Sequence, residues 1–246
     1  MYYTIDLSRL LAGMRIAGRR SRARMDILLG DITTIPAHPT IVRSRPIDGD
    51  NRHSILLKLN SMRHYRFARD PLPFEMKQDR AVWRGDLRVN ARRREFVEKY
   101  GDHPRCNVAG TGRRRSGVRY LFGGAYMEIS EQLQYKFIVS IEGVDVATNL
   151  PWILSSNSLC LMPAPRFETW FMEGRLEAGV HYVQLADDFA DLEAKMEHYL
   201  ARPDEAKRIV AGANRYAAQF FDQRREAYIG RRVLMKYFSQ TGQWEA

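Results

Sequence analysis

Three carboxylates in this chain stand where short apolar runs stop, a position from which a carboxylate can act as a general base. Asp31 follows Ile27 to Leu29 and Gly30, Glu142 follows Phe137 to Ile141 and precedes Gly143, and Glu168 comes soon after Ser158 to Met162. Around them the sequence supplies cations. Arg43 and Arg45 lie in a proline-punctuated stretch over residues 35–50, Arg63-His64-Tyr65-Arg66 mixes cations with aromatics, and Trp83-Arg84-Gly85 ends an apolar run. At such a turn a guanidinium can point at an anion, and a glycine lets the backbone come close to it. Other chemistries are poorly served. The six histidines never fall into a metal-ligand spacing with a cysteine or a second histidine, and there is no Gly-x-Ser-x-Gly elbow. No Gly-Lys-Ser/Thr follows a glycine loop, and no Gly-x-Gly-x-x-Gly opens a helix after a strand, which excludes a P-loop and argues against a nicotinamide or flavin enzyme. Catalysis then falls to carboxylates, arginines and backbone amides acting on a bound anion.

Several of these residues also have an ordinary structural use. An isolated Asp after a strand more often caps the next turn, and Ser155, Ser156 and Asn157 suit the end of a helix as well as a ligand. Arg92, Arg93 and Arg94 crowd the start of a helix expected over residues 90–100, beside its positive end, where either a bound anion or exposure to water would make them tolerable.

The elements that would position these groups are clearest over residues 136–191. Phe137 to Ile141, Ser158 to Met162 and His181 to Leu185 read as buried strands, with a short helix within residues 146–157 and an amphipathic helix opening at Asp187 or Asp188. That alternation predicts a parallel sheet, whose ligands lie outside the carboxyl ends of the strands. Glu142-Gly143, Pro163 to Trp170 and Ala186 to Asp188 become the ligand-facing candidates. Further on, helical spacing predicts three helices, the first ended by Pro203. Earlier, Ile5 to Arg24 reads as a basic, partly amphipathic helix, and Arg105 to Gly117 as a Gly- and Arg-rich loop near a domain boundary at 110–130. Ser54 to Asn60 is compatible with strand or helix.

At 246 residues and 45% apolar composition the chain can bury a sizeable core, and its net charge of +10 predicts an anionic partner. Nucleic acid, a phosphorylated sugar donor and an anionic membrane surface all satisfy that sign. Cys106 and Cys160 lie far apart, and Cys160 sits inside an apolar strand, so a buried free thiol in a reducing compartment is a better reading than a disulfide or a metal site. The N-terminus lacks the pattern of a signal peptide, and no apolar run is long enough to span a membrane.

Taken in order, Gly30-Asp31, TIVRSRPI, NRHSILLKLNSMRHYRF, Trp83-Arg84-Gly85, KFIVSIEGVDVATNLPWILSSNSLCLMP, PRFETWFMEG, His181-Tyr182-Val183 and DDFADLEAKMEHYL resemble glycosyltransferase family 90, over roughly residues 27–238. The bacterial lipopolysaccharide-core branch is the closer match. The resemblance implies an α/β, GT-B-like fold, two Rossmann-like domains with parallel sheets facing a cleft. It places an acceptor-side domain at 1–120, a nucleotide-sugar domain at 121–225 and a C-terminal helix at 226–246. It also implies sugar transfer from a nucleoside diphosphate sugar, UDP-linked by preference, to a hydroxyl of a lipopolysaccharide core or other glycan. No metal or other cofactor is expected, and the enzyme would be cytoplasmic, at the inner face of the cytoplasmic membrane. Asp31 matches the proposed base. Arg84, Gly85, Arg88, Glu142, Gly143, Asn149, Ser155 and Glu168 become donor-binding candidates, Glu168 gripping the ribose. Arg43, Arg45, Arg63 and His64 become acceptor or phosphate contacts. Where eukaryotic members carry a Ser and, two residues on, a diphosphate-binding Arg, this chain has Ala147 and Asn149, so another cation would have to supply the charge, with Arg84, Arg88 and Arg43 as candidates. The rival expectation is a non-catalytic basic module for nucleic acid or an anionic membrane.

Overall fold

The computed structural model describes residues 2–12, 24–111 and 126–243. In chain order its elements are α1 (Tyr2–Ala12), β1 (Thr40–Val42), β2 (Ser44–Pro46), β3 (Ser54–Leu56), α2 (Ser61–His64), β4 (Gln78–Gly85), α3 (Ala91–Tyr100), β5 (Cys106–Gly110), α4 (Ile129–Gln132), β6 (Tyr135–Val139), α5 (Leu150–Leu154), β7 (Leu159–Met162), β8 (Phe167–Thr169), β9 (Val183–Gln184), α6 (Leu192–Ala201), α7 (Pro203–Ala218) and α8 (Gln223–Gln240). They divide into two compact units, one of Met1–Arg66, Pro165–Arg175 and Gln219–Ala246, the other of Phe67–Ala164 and Leu176–Ala218.

The second unit is built on a five-stranded sheet in the order β5-β4-β6-β7-β9, parallel throughout. Its strands are short and rich in apolar residues because both faces are covered. Phe137, Val139, Leu159, Leu161 and Val183 share one core with Phe96, Val97 and Tyr100 of α3 and with Leu192, Met196 and Tyr199 of α6. Trp83 meets Phe96 edge-on at 5.9 Å, and Phe96 meets Phe189 at 4.9 Å. The parallel sheet expected from residues 136–191 is therefore present, but it is wider than that stretch. β4 and β5 precede the expected boundary at 120 and yet lie in the same sheet as β6, because β4 is hydrogen-bonded on one side to β5 and on the other to β6.

Two local expectations change. Cys106 to Gly110, read as the start of a loop, is strand β5, with Cys106, Val108 and Gly110 buried in alternation. The helix expected from Asp187 or Asp188 begins only at Leu192. Phe189 lies between, in the left-handed region (φ 61°), with its ring in the core and its carbonyl accepting from Tyr100 Oη at 2.5 Å.

The first unit does not show a second Rossmann-like sheet. It has two small sheets, β1 with β3 in parallel and β2 with β8 antiparallel. Helix packing supplies the rest. Gly230 of α8 lies under Leu10 of α1, where an added Cβ would fall 2.9 Å from Leu10 Cδ2. Asp6 of α1 accepts from both the backbone N and Oγ of Ser61, pinning the start of α2. Ser54 to Asn60, open in the sequence, begins as strand β3. Of the basic helix predicted over residues 5–24, α1 covers residues 5–12 and Arg24 is not helical, while Arg15, Arg19, Arg20 and Arg22 lie outside the described residues, as do Gly112, Arg113, Arg114, Arg115 and Gly117 of the basic loop. Among the described residues, no helix is long and apolar enough to cross a membrane.

Candidate active site

The order of the parallel sheet marks one ligand position by itself. The chain passes from β4 to β5 on one side and then returns to β6 on the other, so the connections leave β4 and β6 in opposite directions. Such a switch point opens a crevice outside the carboxyl ends of those two strands. Trp83-Arg84-Gly85 ends β4, and residues 140–149 follow β6.

This edge is laced together by the start of α3. Asn90 caps the helix by accepting from Arg92 N, while its Nδ2 donates to the carbonyls of Glu142 (3.4 Å) and Gly143 (3.0 Å). Arg93 donates to the carbonyls of Ile141 (2.7 Å), Glu142 (3.0 Å) and Asp86 (3.3 Å), and its guanidinium lies 5.8 Å from the centre of the Trp83 ring. One guanidinium thus ties the loop after β4 to the loop after β6. Arg92 pairs with Asp187 at 2.7 Å, and Arg94 donates to the carbonyl of Leu87. Each of the three arginines at this helix start thus has a partner within the chain. Arg93 and Asn90 are the organisers that the sequence reading did not assign to the site; the cluster of cations at a helix N-terminus was the available signal.

The donor-binding candidates divide into two groups. Arg88, Glu142 and Gly143 lie on the loops at the switch point. Arg88 forks onto Asp86, holding that carboxyl below its usual range, and Gly143 lies beneath the Arg93 guanidinium. The others are committed within the fold. Arg84 donates to the backbone and side chain of Asn107 on β5, both at 2.6 Å, so its guanidinium lies along the sheet. Gly85 is needed by its own strand, since an added Cβ would fall 2.5 Å from the Trp83 indole. Asn149 closes the loop after β6, accepting from Ser140 Oγ and donating to the carbonyl of Val139. Ser155 takes the capping alternative, donating to the carbonyl of Trp152 and accepting from Ala68 N. Glu168 is not in a loop. It is the central residue of β8, opposite Arg45 of β2, and its Oε1 accepts from Arg45 Nε at 2.8 Å.

Asp31 belongs to the first unit, where Arg43 holds it. Arg43 is fully buried between β1 and β2; it donates through one terminal nitrogen to Asp31 Oδ1 at 2.7 Å and through Nε to the carbonyl of Gly30 at 3.3 Å. Its other terminal nitrogen is 3.3 Å from His64 Nδ1. His64 is buried, and that burial, with Arg43 and Arg63 nearby, pushes its pKa down to about 3, so the ring is neutral. Arg43 and Arg45 thus face carboxylates of this chain, while Arg63 is exposed. Cys106 and Cys160 are both free and buried. Among the described residues, no group of three or more His, Cys, Asp or Glu side chains is placed to hold a metal ion.

The profile of the family described as "Glycosyl transferase family 90" matches residues 56–238. The chain is also 46% identical over 237 residues to O-glucosyltransferase LpsA of Dichelobacter nodosus, an alignment covering 96% of this chain and 72% of that protein. The chain belongs to glycosyl transferase family 90. It is 28% identical over 166 residues to Protein O-glucosyltransferase 3 of Homo sapiens, across 65% of this chain and 32% of that protein. The rat protein of the same name is 30% identical over 105 residues, across 42% of this chain and 20% of its own length. Membership in family 90 makes the chain a glycosyltransferase, an enzyme of the hexosyltransferase type, and sets aside the non-catalytic module. The family segment contains the switch point and His64; Asp31, Arg43 and Arg45 lie before it.

Proposed function

We propose that this family 90 enzyme moves a glucosyl group from a nucleoside diphosphate glucose, UDP-glucose by preference, to a hydroxyl of a lipopolysaccharide core glycan. The observation that carries the proposal is the 46% identity, over nearly the whole chain, to a protein named O-glucosyltransferase LpsA. The sheet supports it, since a parallel sheet with a switch point suits a nucleotide-bearing donor. On this reading the enzyme is GT-B-like. The loops after β4 and β6, with Arg88, Glu142 and Gly143, bind the donor, and cations with backbone amides stabilise the departing diphosphate. Asp31 takes the acceptor's proton as its oxygen bonds to the anomeric carbon and the bond to the diphosphate breaks. A basic chain acting on such an acceptor would work at the inner face of the cytoplasmic membrane, where the leaflet is anionic.

The test is a panel of UDP-, ADP-, GDP- and TDP-glucose with UDP-galactose as control, read as free nucleotide, with and without lipopolysaccharide core oligosaccharide. Acceptor-dependent release from a glucose donor is the expected result. No acceptor-dependent release from any glucose donor would contradict the proposal.

A further inference from the structure

We infer that Arg43 and His64 are positioning residues for the Asp31 carboxylate, His64 fixing the guanidinium that in turn fixes the base. The inference rests on the proposed role of Asp31. Its ground is the set of contacts around one buried fork. A guanidinium carries only donors, so His64 Nδ1, 3.3 Å from Arg43, must accept. The ring proton therefore sits on Nε2. That nitrogen is buried and, among the described residues, has no hydrogen-bond partner. An orphan buried donor is a cost to stability that an apolar residue in the same place would avoid. Packing alone does not account for a histidine here, whereas an acceptor aimed at Arg43 does.

The surroundings are built to hold it. Asp6 fastens the start of α2 through Ser61, Asn60 turns the chain in the left-handed region (φ 57°), and His64 N donates to the Asn60 carbonyl. From there the contacts run to the Arg43 guanidinium and on to Asp31 Oδ1. The Arg43 side chain has no exposed surface, while that of Asp31 is 38% exposed. The carboxylate is thus gripped from inside the fold and open to an acceptor on its other side. Removing the histidine takes away one of the acceptors that orient the guanidinium, and the fork and the carboxylate it holds turn with it.

The experiment compares wild type, H64L, H64N, D31N and the D31N/H64L double variant, with UDP-glucose and core oligosaccharide as substrates. Asparagine offers an oxygen close to the position of Nδ1; leucine offers none. If His64 acts through Asp31, H64L lowers kcat by about tenfold with the donor KM within about twofold, H64N regains most of the loss, and D31N/H64L is no slower than D31N. Equal losses in both backgrounds, H64N as slow as H64L, or an unchanged H64L would each overturn the inference. Should H64L fail to fold, R43K takes its place, because lysine keeps the charge but cannot bond Asp31, Gly30 and His64 together; equal losses in both backgrounds again overturn it. Wild-type turnover in D31N would instead remove Asp31 as the base, a failure recognisable without any His64 variant.

Discussion

Glu173 is a carboxyl held almost wholly out of water. It is buried, accepts from the backbone N and Oγ1 of Thr169, and is pushed up to about 7, mainly by burial and against the pull of those bonds. The native state therefore keeps this proton to a higher pH than the unfolded chain, whose carboxyl titrates near 4.5. Stability from the protonated form is complete below about 4.5 and is lost as pH rises through about 7. Relative to wild type, E173Q should gain stability across that window, by at most about 3 kcal/mol, and then level off. Denaturant melts of both proteins from pH 4 to 8 check this, and parallel curves would contradict it. At the same scale, the sequence exposed residue types more readily than their partners. Asp31 and Arg43 were visible as an acidic and a basic residue, but the bond between them spans twelve positions without a repeating pattern. The Arg45 partner of Glu168 lies 123 positions away, and no local pattern links two three-residue strands so distant.

Elements were legible where apolar runs were long enough to cover both faces of a sheet. β6, β7 and β9 were read from their composition, whereas β5 hid in a Gly- and Arg-rich stretch because its inward residues are Cys, Val and Gly. The Trp-Arg-Gly segment shows the opposite difficulty. Its residues suggested a ligand turn, but the glycine makes room for the indole two positions before it. G85A should therefore destabilise the protein by about 1 to 3 kcal/mol, the usual result of overpacking a filled core. Thermal melting checks this, with intrinsic tryptophan fluorescence reporting the displaced ring. An unchanged melting temperature would mean that Trp83 has room to move and that Gly85 is kept for another reason.

For the whole molecule, an excess of ten positive charges pointed to an anionic partner without choosing one. The choice came from the ordered set of segments and the family match, information that no single element carries. The parallel sheet was legible for one unit only. The other reaches its fold through helix packing and two-stranded sheets with little periodic signal. In the proposed reaction this chain transfers a sugar with Asp31 as the base. The most direct measurement is turnover and donor affinity of D31N, since asparagine keeps the size and one acceptor oxygen but takes no proton at neutral pH. The account predicts unchanged donor affinity by calorimetry and turnover lower by roughly two to four orders of magnitude. Near-normal turnover, with at most a small change in melting temperature, would reduce Asp31 to a turn cap and contradict the mechanism.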